Sequence, residues 1–161
     1  MDEEFLKVIE ELPDKVAGDI DTFKFRDGLQ EIMTTCKYAN KYFNDKKPWK
    51  AVKEDINSAR NCLYLSNQLV HTLAIVLNPY LPEATQKIRD ILNMPVEDVE
   101  GFMKFENRDP LVEWNESHEL LDEGYEIKKA KPLFKKIEDK TIQEQKDKLY
   151  ATLKDEEEED D

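Results

Sequence analysis

Glycine is scarce in this 161-residue sequence, four in all, and cysteine, histidine and tryptophan occur only twice each. So few glycines disfavour a turn-rich sandwich or barrel and leave little material for a phosphate-cradling loop. No Walker-type, G-x-S-x-G or H-E-x-x-H run occurs. Cys36 and Cys62 fall far apart on apolar helical positions, where a free thiol packs as a small hydrophobe. With His71 and His118 they form no C-x-x-C or H-x-x-x-H spacing, which argues against structural zinc. No nucleophile, base and orienting group assemble, so no catalytic residue is expected. No stretch approaches the roughly 18 apolar residues of a membrane span. The start, Met1-Asp2-Glu3-Glu4, has no basic region ahead of an apolar run. A cytoplasmic protein without a membrane partner is therefore expected.

What is abundant is charge: 37 acids against 24 Lys and Arg, a net of −13. Asp155 to Asp161 is an unbroken acidic run that repels itself, so residues 154–161 are expected to be a disordered tail. The rest of the chain is still acidic, which excludes non-specific coating of DNA or other nucleic acid. Yet Lys37 to Lys53 holds six lysines and one acid, and Ile127 to Lys136 holds five lysines and none. An acidic body with basic patches suits a protein that meets a polyanion at a few places.

The apolar spacing predicts an all-α antiparallel bundle. Phe5, Val8, Ile9, Leu12 and Val16 mark a first helix that Pro13 bends and Gly18 ends. Asp21 or Thr22 caps a second, with Phe25, Leu29, Ile32, Cys36, Ala39 and Phe43 as its packing seam. It stops near Asn44-Asp45 because Pro48 disfavours helical geometry before it. A third helix opens near Asp55, carries Ile56, Ala59, Cys62, Leu63, Leu69, Val70, Leu73, Val76 and Leu77, and ends at Asn78-Pro79. Pro82 occupies the first turn of a fourth. A short helix near Val96 to Met103, irregular chain to residue 138 and a polar helix over 139–153 complete the reading. The bundle is assigned residues 1–138. There is no strand-like alternation and no internal repeat.

One segment stands apart, Asn40-Lys41-Tyr42-Phe43-Asn44-Asp45-Lys46-Lys47-Pro48-Trp49-Lys50. A tryptophan directly after a proline, among Lys46, Lys47, Lys50 and Lys53, presents a flat π-face within a positive rim. Such a face suits an unpaired nucleotide, whose base stacks while lysines draw the phosphates. The alternative is that Trp49 plugs the bundle end and the lysines are ordinary surface. Trp114, without such lysines, reads as packing.

These residues carry a resemblance to a family. Asn40-x-Tyr42 and Pro48-Trp49, then Leu77-Asn78-Pro79-Tyr80-Leu81-Pro82, then Gly124 leading to Lys131-Pro132-Leu133-Phe134-Lys135-Lys136-Ile137-Glu138, resemble the anticodon-binding domain of methionyl-tRNA synthetases. The likeness runs in order from about Glu3 to Glu138. It implies a bundle that receives the anticodon loop of methionine tRNA, with Trp49 packing on anticodon bases and Pro48 fixing its loop. Asn40 then bonds backbone at a helix end, and Tyr42 supports the loop. The resemblance also implies a first bundle helix and a catalytic domain, in cis or in trans, that these residues do not include. ATP and methionine would bind that domain, and no cofactor is expected here. Two other readings stand beside this one: an acidic helical protein-interaction module, and the equivalent domain of another class I synthetase.

Overall fold

The computed structural model describes residues 1–94, 114–122 and 124–159, of which the side chains of residue 116 and residues 151–159 are not described. Among the described residues there is no strand, and the chain divides between Lys131 and Pro132 into two units rather than after Glu138.

In the first unit, α1 spans Asp2–Asp21, opening with three acids at the end of the helix that favours negative charge. Phe5, Ile9, Leu12 and Val16 are all buried, as their three- and four-residue spacing requires. Gly18 does not end the helix. The stop is Phe23, held left-handed at φ 59°. Its amide reaches the Ile20 carbonyl at 2.9 Å and the Lys24 amide reaches that of Asp19 at 2.7 Å. This is a Schellman closure built on a residue without glycine's freedom. Thr22 belongs to the same stop, its hydroxyl donating to the Gly18 carbonyl at 2.8 Å; it does not cap the next helix.

Helix α2 runs Phe25–Lys46. Its expected seam is only partly right. Ile32 is fully buried, but Phe25 is 53% exposed, while Gly28, Thr35 and Tyr42 take inward positions. Counting apolar residues misses Gly28 and Tyr42 because each enters for another reason. Gly28 leaves room for the Tyr80 hydroxyl, which would stand 2.5 Å from any Cβ there. Tyr42 buries a ring while its hydroxyl finds a carboxylate, Asp2, at 3.2 Å.

Lys47 leaves helical geometry, as a residue before proline should, and is left-handed at φ 47°. Pro48 then starts a short helix, α3 (Pro48–Glu54), where a loop was expected. Proline fits that first position because its missing amide would have no partner within the helix. The helix expected to open near Asp55 is α4 (Ile56–Val76), and Asp55 caps it, its Oδ1 accepting the amides of Asn57 and Ser58 at 3.1 and 3.2 Å. Pro82 opens α5 (Pro82–Ile91), also as expected. In the junction before it, Asn78 accepts the Thr85 hydroxyl at 2.9 Å.

The core lies where α1, α2 and α4 meet, around Phe5, Leu12, Ile32, Tyr42, Cys62 and Leu69, and α3 and α5 pack on α4. Of the third helix's expected apolar set, Ile56 and Leu63 are exposed, whereas Gln68, His71 and Thr72 are buried. Gln68 and Thr72 face the segment 114–122, which holds a short 3-10 turn at Glu116–His118 and then chain without regular secondary structure. Trp114 sits partly buried against the core, consistent with packing. The helix expected near Val96 to Met103 lies outside the described residues.

In the second unit, α6 spans Asp139–Glu159. Its backbone continues past Leu153 through most of the acidic run, where disorder was expected. Adding residues to a formed helix is far easier than nucleating one, and glutamate is a good helix former.

Candidate nucleic-acid interface

The segment Asn40 to Lys53 joins the end of α2 to α3, and the structure sorts its residues into three groups. Trp49, Lys47, Lys50 and Lys53 face solvent, with Trp49 53% exposed. Lys53 follows Trp49 by one helical turn and so shares its side of α3. The indole is not sunk in the core. Its ring meets that of Phe43, centroids 5.9 Å apart at 46°. Pro48 is buried and anchors the start of α3.

Lys46 behaves differently from the other lysines. Its side chain is 19% exposed, and its ammonium pairs with Asp2 in the first turn of α1. It also lies 5.8 Å from the centre of the Tyr42 ring. A cation so committed is not displayed toward an external phosphate, and periodicity gave no sign of this because the partner lies at the far end of another helix.

Tyr42, for which support of the loop was the expectation, joins the end of α2 to α1. Its ring lies 4.3 Å from that of Phe5, and its hydroxyl donates to Asp2. Burial, reinforced by the negative charge of Asp2, pushes the phenol pKa well up. Asn40 departs from its expected role. It sits exposed inside α2, which runs on to Lys46, and its side chain makes no hydrogen bond among the described residues. Sequence reasoning missed Asp2 and Phe43. Asp2 reads as an ordinary first-turn acid, and Phe43 as one more seam position.

The second basic stretch is less free. Lys128 pairs with Asp90 at 2.8 Å, and its amide donates to the Ile91 carbonyl at 2.7 Å. The hydrogen bond and charge of Lys128 hold the Asp90 carboxyl below its usual range. His71 is buried, its pKa lowered mainly by burial. His118 is exposed and lies 3.4 Å from Asp14. The described helices include none long and apolar enough to cross a membrane.

Fold and tip together define an all-helical bundle domain that offers an aromatic ring among lysines at a helix junction. A family model described as the anticodon binding domain of methionyl tRNA ligase matches residues 1–154, and the chain belongs to that family. It is 65% identical over 93% of its length to a methionine–tRNA ligase of Methanosphaera stadtmanae, 49% over 98% to one of Methanobrevibacter smithii, and 40% over 95% to one of Phocaeicola vulgatus. The chain spans 21–22% of the length of these relatives. Membership of the methionine family sets aside the equivalent domain of another class I synthetase.

Proposed function

We propose that this domain receives the anticodon loop of methionine tRNA at the α2–α3 junction and positions that tRNA for a catalytic domain, in cis or in trans, which binds ATP and methionine in the cytoplasm. The observation that carries the reading is the half-exposed indole of Trp49. An unpaired anticodon base stacks on its free face, and Lys47, Lys50 and Lys53 hold the neighbouring phosphates. Lys46 stands outside the contact set because Asp2 occupies it. A base leaves its stack in the loop more cheaply than in a duplex, which favours a single-stranded target.

The test titrates the protein with a methionine anticodon stem-loop and with a scrambled loop. Trp49→Ala is expected to raise the dissociation constant for the cognate loop about tenfold, in line with about 1–3 kcal/mol per stacked base. Equal affinity for both loops would favour the protein-interaction module instead.

A further inference from the structure

We propose that Asp2 is the positioning residue of the Trp49 tip, its carboxylate fixing the last turns of α2 and thereby the direction in which Pro48 and Trp49 leave the bundle. This rests on the reading of Trp49 as the stacking ring.

Asp2 lies in the first turn of α1, yet both groups it binds belong to the end of α2. Tyr42 donates its hydroxyl at 3.2 Å, and Lys46 donates its ammonium to the same carboxylate oxygen. Tyr42 and Lys46 are four residues apart and so share the side of α2 that faces α1. Phe43, in the same turn, points elsewhere and meets the Trp49 ring.

Little slack separates this turn from the indole. Only Lys47 and Pro48 intervene. Lys47 is left-handed, and its amide is bonded to the Phe43 carbonyl at 3.1 Å. Pro48 has φ fixed by its ring and is buried. The orientation of the turn therefore passes to Trp49 through two residues with almost no torsional freedom, and the Phe43 ring supports it from the side.

The pair is more than a surface contact. Lys46 is 19% and Asp2 33% exposed, so water screens the interaction incompletely. Tyr42 is 2% exposed, and removing the carboxylate would leave its buried hydroxyl with only the weak Cys62 thiol beside it. Both effects concentrate on one side chain, remote in sequence from the tip it holds.

The test uses the full chain carrying Asp2→Ala, Asp2→Asn, Lys46→Met or the charge exchange Asp2→Lys with Lys46→Asp. It reads the indole N–H resonance of Trp49, the melting temperature and the affinity for the methionine anticodon stem-loop. Asp2→Ala and Lys46→Met are expected to shift the Trp49 resonance and weaken binding about three- to tenfold, with Asp2→Asn between them and wild type because it keeps an acceptor for Tyr42. The charge exchange is expected to recover part of both losses. Trp49→Ala runs in parallel. If it leaves affinity unchanged, the stacking reading fails, while a shifted Trp49 resonance in Asp2→Ala still reports the positioning. If Trp49→Ala weakens binding but the Asp2 variants retain the wild-type resonance and affinity, the proposal is overturned. It is also overturned if affinity falls only in step with melting temperature and the exchange recovers nothing.

Discussion

Gln68 and Leu121 exchange two hydrogen bonds across the bundle: the carboxamide oxygen accepts the Leu121 amide at 3.0 Å, and the carboxamide nitrogen donates to the Leu121 carbonyl at 3.3 Å. A buried side chain thus substitutes for a neighbouring strand. Tyr64 adds a bond to the same carbonyl at 3.0 Å, and Thr72 donates to the Ser117 carbonyl at 3.2 Å. Positions 64, 68 and 72 form one ridge of α4, and the segment 114–122 lies along it.

Replacing Gln68 with Leu keeps the volume but orphans the Leu121 amide. The expected cost is about 1–3 kcal/mol of stability. Denaturant unfolding measures it, and hydrogen exchange at the Leu121 amide is expected to speed up more than exchange at amides of α2.

At the crossing of α2 with the α4–α5 junction, a Cβ on Gly28 would stand 2.5 Å from the Tyr80 hydroxyl, itself buried and without a hydrogen-bond partner among the described residues. Gly28→Ala is expected to destabilise by about 1–3 kcal/mol, overpacking outweighing the better helix propensity of alanine. Tyr80→Phe removes the unpaired hydroxyl and is expected to stabilise by about 1 kcal/mol. In the double variant the cost of Gly28→Ala shrinks, because the atom it strikes is gone. Thermal melts of the four proteins give the coupling.

The lysines of the tip are expected to separate by salt dependence. Replacing Lys47, Lys50 and Lys53 one at a time, with glycine at 47 to keep the left-handed turn, should each flatten the slope of log affinity against log salt by roughly 0.7. Lys46→Met should leave that slope unchanged. Titrations at several salt concentrations with the anticodon stem-loop check both outcomes.

His71 carries a pH signature. Burial, opposed by Glu119 and aided by Arg89, lowers its pKa in the folded protein. Well above the ordinary histidine value the ring is neutral folded and unfolded, so it contributes nothing to pH dependence there. As pH falls through the ordinary histidine value of about 6.5, the unfolded chain takes up a proton that the folded chain refuses, and stability drops. The loss levels off only below the lowered folded pKa. His71→Leu is expected to remove this component, so the difference between wild-type and variant stability should slope as pH falls from about 7 to 5 and be flat above about 8.

Helix existence was legible in the residues because it depends on local spacing. The buried face of α1, the Asp55 cap and the proline at the head of α5 each follow from a few adjacent side chains. The burial of Gln68, Thr72 and Tyr42 was not legible, since a polar residue enters a core only when a distant partner accepts its hydrogen bonds. The site shows the same division. Trp49 and its lysines announce themselves within a dozen residues, whereas Asp2 gains meaning only once α1 lies against the end of α2.

By itself the sequence determined an all-helical chain, the places where most helices begin and the family motifs gathered around Pro48 and Trp49, because spacing, capping and proline geometry act over one or two turns. Only the tertiary structure decided that Gly28 and Tyr42 face inward, and that Lys46 is held by Asp2 while Lys47, Lys50 and Lys53 stay open to solvent. Those outcomes depend on which helix faces which. Contacts between residues forty positions apart settle that, and no local pattern contains them.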